Sequence, residues 1–221
     1  MKNDDARPDL ARFIDRWTIE YVRVYPHPIE RVWRAITDPK EFRAWFIRGE
    51  IELRQGGSYR FESENWTGPV LAIDPPRFIK FGNKNEPAGY FQYELCEAEG
   101  GTRMRFVQHF PSDGAYTENP DDLGGDLPVP GTPWAPGFVG GWHEFWDALR
   151  DHLDGVPVGS RLPATEFEAL AAAWAQNGVR GGLFDAKGAA RLVRQFRRTE
   201  RWNELNKIYR EFIRTNCPHD V

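Results

Sequence analysis

Gly89-Tyr-Phe-Gln-Tyr-Glu-Leu-Cys-Glu-Ala-Glu-Gly-Gly-Thr-Arg-Met-Arg-Phe-Val-Gln-His-Phe110 places apolar side chains at every second position on both sides of Gly100-Gly101. A strand turns successive side chains to opposite faces, so this period predicts strands at 89–96 and 102–110 joined as an antiparallel hairpin. Phe91, Tyr93 and Leu95 then share an inner face with Met104, Phe106, Gln108 and Phe110, while Gln92, Glu94, Arg103, Arg105 and His109 face outward. Gln108 becomes a polar group on an apolar face. A buried amide needs a partner, which is either neighbouring backbone or a bound molecule.

The same period runs upstream. It predicts strands at 50–54, 58–65, 70–74 and 78–81, divided mainly by Gly56-Gly57 and Asp74-Pro75-Pro76. In the second of these, Tyr59, Phe61 and Ser63 oppose Arg60, Glu62 and Glu64. The spacings leave no room for helical crossovers, so the sheet is expected to be antiparallel. A first strand is predicted at 17–25, ending at Pro26 and Pro28. Ile29, Val32, Trp33 and Ile36 then recur at helical spacing. Asp38-Pro39-Lys40-Glu41 follows as a capping sequence, with Glu41 placed to return the capping bond of a second short helix bearing Phe42, Trp45 and Phe46.

Residues 112–137 read as a Pro- and Asp-rich insertion loop, its exit marked by Trp134 and Phe138. Phe138, Trp142, Phe145, Trp146, Leu149 and Leu153 then form the stripe of a longer helix. Three more helices are predicted near 165–176, 185–198 and 199–215, in a tail that carries net charge +4 against −8 for the chain before it. Short amphipathic helices cannot each bury a stripe alone. The tail is therefore expected to dock on the outer face of the sheet and to serve dimerisation. Arg191, Arg194, Arg198 and Arg201 make one basic face, better explained by solvent or by acids on the body than by nucleic acid.

With 221 residues, net charge −4 and no apolar run near the length of a membrane span, the composition is that of an ordinary globular chain. The polar leader, residues 1–14, lacks the apolar segment of a secretory signal, and the expected location is cytoplasmic. Cys96 and Cys217 suggest reduced thiols. No metal-ligand spacing, phosphate loop or nucleophile elbow is present, so no metal and no cofactor is expected. His143 falls with Asp147, Arg150 and Asp154 on the expected polar side of the longer helix, and His109 on the solvent side of its strand.

Ile29-Glu-Arg-Val-Trp-Arg-Ala-Ile-Thr-Asp-Pro39 with Trp45-Phe46, Gly56-Gly-Ser-Tyr-Arg-Phe61, Ala72-Ile-Asp-Pro-Pro-Arg77 and Gly140-Gly-Trp142 together resemble the signature segments of a known family. It is the Hsp90-ATPase-activator-homologue (Aha1-like) branch of the START/SRPBCC superfamily. The resemblance implies an α+β helix-grip fold over residues 15–157, a curved antiparallel sheet around a long C-terminal helix. A helical C-terminal extension at 160–221 lies outside it.

It also implies a cavity between sheet and last helix that holds a small apolar molecule, lipid- or polyketide-like. The expected lining is Trp45, Tyr59, Phe61, Trp66, Phe91, Tyr93, Phe106, Gln108, Trp142 and Trp146. Two other readings come with the resemblance. One is a protein-interaction module with a chaperone partner such as Hsp90, contacted through Arg103 and Arg105, although the co-chaperone's further N-terminal domain exceeds what residues 1–16 supply. The other is a cyclase- or dehydratase-like enzyme in the same cavity, with Glu144 and Tyr59 as candidate acid–base groups. Whether the chain is an enzyme stays open at this point.

Overall fold

A computed structural model describes residues 9–61, 66–84, 88–111, 133–134, 136–161, 176 and 186–218, and for 186–197 and 199 the backbone alone. Eight strands form one antiparallel sheet: β1 (Arg12–Asp15), β2 (Thr18–Tyr25), β3 (Gly49–Ile51), β4 (Ser58–Phe61), β5 (Thr67–Asp74), β6 (Phe78–Gly82), β7 (Tyr90–Ala98) and β8 (Gly101–His109). Their spatial order is β1-β2-β8-β7-β6-β5-β4-β3. The central hairpin turns at Gly100 and Gly101, whose φ values of 84° and 136° only glycine adopts without strain. A Cβ on Gly101 would also fall 2.1 Å from the Tyr25 carbonyl oxygen.

Two short helices, α1 (Ile29–Thr37) and α2 (Pro39–Trp45), precede β3. Asp38 ends the first and caps the second, its Oδ1 accepting from the Lys40 N–H at 2.8 Å. Glu41 does not return the capping bond. Its carboxylate instead joins Arg31, Arg34 (2.6 Å) and His152 (3.2 Å), because two guanidinium groups on α1 lie within reach and bind a carboxylate more strongly than one backbone N–H does. The long helix α3 (Pro136–Leu153) lies across the sheet's inner face, with Trp142, Trp146, Leu149 and Leu153 buried.

Several expectations need correction. β1 lies largely within the stretch read as a polar leader, and it pairs with β2. The two last predicted helices are one, α4 (Ala186–Asn216), continuous through Thr199. It packs on α3 and not on the outer face of the sheet: a Cβ on Gly140 would lie 3.2 Å from Leu205 Cβ. Leu205, Tyr209 and Ile213 enter the same hydrophobic cluster as the sheet. Residues 165–175 of the predicted helix and most of the 112–137 loop lie outside the described residues, as do the side chains of Arg191 and Arg194 in the basic face.

His143 is the largest departure. Expected on a polar side, it is 1% exposed, with Nδ1 2.9 Å from Tyr209 Oη. α4 covers that side of α3. The acids beside it meet the tail's arginines, Glu144 with Arg198 at 2.6 Å and Asp147 with Arg201 at 3.5 Å. A second aromatic group ties the chain's ends to the loop exit, with Phe13 stacked on Phe212 at 5.8 Å and set edge-on to Trp134 at 5.9 Å.

Candidate functional site

Among the described residues the alternation read from the sequence holds in β4 and β7 and in β8 as far as Phe106, beyond which Val107 is buried as well as Gln108; Glu62, Ser63 and Glu64 lie outside the described residues. Tyr59 and Phe61 are buried while Ser58 and Arg60 are exposed, and Phe91, Tyr93, Phe106 and Gln108 all face α3. α2 adds Phe42 and Trp45 at one end, and Phe46 follows as its C-cap; Phe42 stacks on Phe61 of the sheet at 5.1 Å. The result is a continuous aromatic body. Phe106 lies 4.3 Å from Trp142 and 4.8 Å from Trp146 between ring centroids, Tyr59 lies 5.0 Å from Phe81, and Trp66 lies 5.5 Å from Trp142.

Of the ten residues expected to line the cavity, eight are buried in one hydrophobic cluster, Trp66 packs against it partly exposed, and Gln108 is buried on the same strand as Phe106. Three aromatics read from the sequence as helix-stripe residues, but not as lining, join them. Phe46, Phe138 and Phe145 are, like Trp66, only partly buried, and they surround Trp142 at 5.6, 6.5 and 6.0 Å. Phe46, read from the sequence as part of the second short helix, is the C-cap just after Trp45, and that adjacency was the signal for its place beside the lining.

The polar atoms inside this body divide into two kinds. Trp45 donates from Nε1 to the Ala35 carbonyl at 2.9 Å, Tyr21 to Val139 O at 2.7 Å and Tyr25 to Trp146 O at 3.2 Å. Burial pushes the Tyr21, Tyr25 and Tyr93 phenols up, so they stay protonated donors at neutral pH. Trp142 Nε1, Trp146 Nε1 and Gln108 Oε1 are different: each is buried with no hydrogen-bond partner among the described residues. Gln108 uses only its Nε2, donating to Tyr90 O at 3.4 Å. An unmet buried donor or acceptor costs about 1–3 kcal/mol, so three in one cluster call for an explanation.

The two candidate acid–base groups lie apart. Glu144 lies on the α4 side of α3, bound to Arg198, and takes no part in the aromatic body. Tyr59 is in the body, 1% exposed among Phe61, Phe81 and Phe91. Among the described residues no group of three His, Cys, Asp or Glu side chains is placed to hold a metal ion.

The outer face of the sheet is self-paired. Arg105 bridges Glu20 (2.5 Å) and Glu94 (2.8 Å), and Glu20 also meets Arg12 at 2.7 Å. His109 faces outward as expected, stacked on Tyr90 at 5.0 Å with Nδ1 2.9 Å from Thr18 Oγ1, and its partial burial lowers its pKa.

Comparison with known proteins agrees with this architecture. The family described as "Activator of Hsp90 ATPase homolog 1-like protein" matches residues 26–154. Protein NE0264 from Nitrosomonas europaea superposes with a TM-score of 0.50 at 19% identity, over 65% of this chain and 97% of that one. CalU16 from Micromonospora echinospora aligns over 90% of this chain and 95% of its own at 21% identity, with a TM-score of 0.46. No curated protein matches. Among the described residues no helix is long and apolar enough to cross a membrane.

Proposed function

The chain belongs to the Activator of Hsp90 ATPase homolog 1-like family, and from that premise we propose that it binds a small apolar molecule, lipid- or polyketide-like, against the aromatic body between sheet and α3. The observation that carries this reading is the ring of partly exposed aromatics, Phe46, Trp66, Phe138 and Phe145, around the buried Trp142. Burying such rings is favourable, because each can contribute on the order of 150–250 Å² of apolar surface. Four left half-open beside one another form an apolar rim of the kind that ligands use.

The interaction-module reading has less support, since Arg105 is already committed to Glu20 and Glu94. The cyclase-like reading loses Glu144 to the α3–α4 contact. Native mass spectrometry of the purified chain, followed by organic extraction, tests the proposal. A stoichiometric apolar passenger, or binding of an added hydrophobic aromatic probe quenched by or transferring energy from Trp142, is the expected result. A chain that carries nothing and takes up no such probe overturns it.

A further inference from the structure

We propose that Gln108 and Trp142 together recognise a hydroxyl group on a flat, otherwise apolar ligand. This rests on the ligand-binding reading above and adds to it the chemical class of the ligand. Gln108 Oε1 is an acceptor without a donor, and Trp142 Nε1–H is a donor without an acceptor, among the described residues. Both residues are more than nine-tenths buried, at 6% and 2% exposure.

They also border the same rings. Gln108 stands opposite Phe91 in the β7–β8 register and two residues from Phe106 on the same strand face. Trp142 lies 6.5 Å from Phe91 and 4.3 Å from Phe106. Gln108 is held in place by its bond to Tyr90 O, which fixes the amide with its oxygen as the spare atom. Other indoles of the fold show that the sequence can satisfy such groups where it needs to: Trp45 and Trp134 both donate to backbone carbonyls.

A hydroxyl is the smallest group that accepts from an indole N–H and donates to an amide oxygen at once. An ether or ketone meets only the indole. A hydrocarbon meets neither, and leaves both groups unpaired in a dry site, which is how a polar site rejects an analogue lacking the group. The surrounding faces favour a planar ring system: Trp142 and Phe46 are stacked within 15°, and Trp142 and Trp146 within 12°. Trp146 Nε1, deeper on α3, is a second donor for a neighbouring oxygen.

Three probes of nearly equal shape test this: 1-naphthol, 1-methoxynaphthalene and naphthalene, titrated against the full chain by tryptophan fluorescence and calorimetry. The expected order is naphthol tightest, then methoxynaphthalene, then naphthalene, with about tenfold between the first and last. Gln108→Met should remove the preference for naphthol over methoxynaphthalene, and Trp142→Phe the preference for methoxynaphthalene over naphthalene. Equal affinity of the unaltered chain for all three overturns the hydroxyl assignment, including the case in which a resident water meets both groups. Binding of none of them overturns the ligand-binding reading itself. The ranking in the unaltered chain decides the matter even if a variant fails to fold.

Discussion

Tyr209 Oη lies 2.9 Å from His143 Nδ1, joining the C-terminal helix to the middle of α3 across 66 positions of chain. The same oxygen accepts from the Ala11 N–H at 3.1 Å. Burial raises the Tyr209 phenol pKa, so the hydroxyl keeps its proton at neutral pH. The other ring nitrogen of His143, Nε2, faces Asp9 at 3.5 Å, Asp147 at 3.8 Å and Arg201 Nη2 at 3.5 Å. Tyr209→Phe leaves one ring nitrogen and one backbone N–H unpaired in a dry interface. It should lower stability by about 1–3 kcal/mol in urea unfolding, and an unchanged midpoint would show that the hydroxyl is dispensable.

Close approach of α4 to α3 depends on Gly140, where an added Cβ would stand 3.2 Å from Leu205 Cβ. Gly140→Val should force the helices apart and cost about 1–3 kcal/mol, with a larger loss in a chain truncated after Arg161. If the truncated chain melts where the intact one does, α4 contributes nothing to the fold.

Rim and core aromatics should separate in their effects. Phe106→Ala, at a fully buried position, is expected to cost about 3–5 kcal/mol of stability. Phe46→Ala and Trp66→Ala should cost less than half of that, because both rings are already partly in water. Each rim substitution should nevertheless weaken 1-naphthol binding several-fold. Equal stability losses at rim and core, with no change in binding, would count against an open site.

Acid stability has a definite sign. Burial alone would raise Glu41, but its bonds from Arg34, His152 and Arg31 outweigh that and hold the carboxyl below its ordinary value. Arg161 and then His27, at 2.6 Å, do the same for Asp154. Their stabilisation is complete above the ordinary carboxylate range, near pH 4–4.5, and disappears as pH falls through the lowered values. Asp147 and Asp151, raised by burial, act oppositely, favouring the native state at lower pH. Glu41→Gln and Asp154→Asn should each flatten the fall in stability below pH 4.5, at about 1 kcal/mol or less. Unfolding curves at pH 3 and pH 6 decide it: an undiminished acid slope in both variants contradicts the assignment.

How far the sequence revealed this arrangement depended on the range of the interactions involved. Phe91, Tyr93, Phe106 and Gln108 were legible because a strand's alternation is local, and the hairpin's register follows from its turn. The four residues Arg12–Asp15 carry charge at both ends and too little apolar signal to announce β1. Two helices were expected to meet at 198/199, yet α4 runs through Thr199 because its packing on α3 outweighs local propensity. His143 could not be placed, since nothing within its own helix says that a segment 66 residues away will cover it. Gln108 fell on the expected face, but its use of backbone for one end and of nothing described for the other depends on atoms from three elements.

The pairing of β1 with both β2 and α4 also orders events during synthesis. Ala11 emerges from a ribosome 198 residues before Tyr209, and β2 must wait for β8, since Tyr21 pairs with Phe106. A nascent chain whose emerged part ends at residue 160 can assemble the sheet around α3, but the groove awaiting Leu205 and Tyr209 is still bare and Phe13 has no Phe212 to stack on. Translation therefore passes through an interval in which an apolar strip of α3 is exposed to whatever surrounds the growing chain. β1 can pair with β2 early, but its contacts with α4 come last.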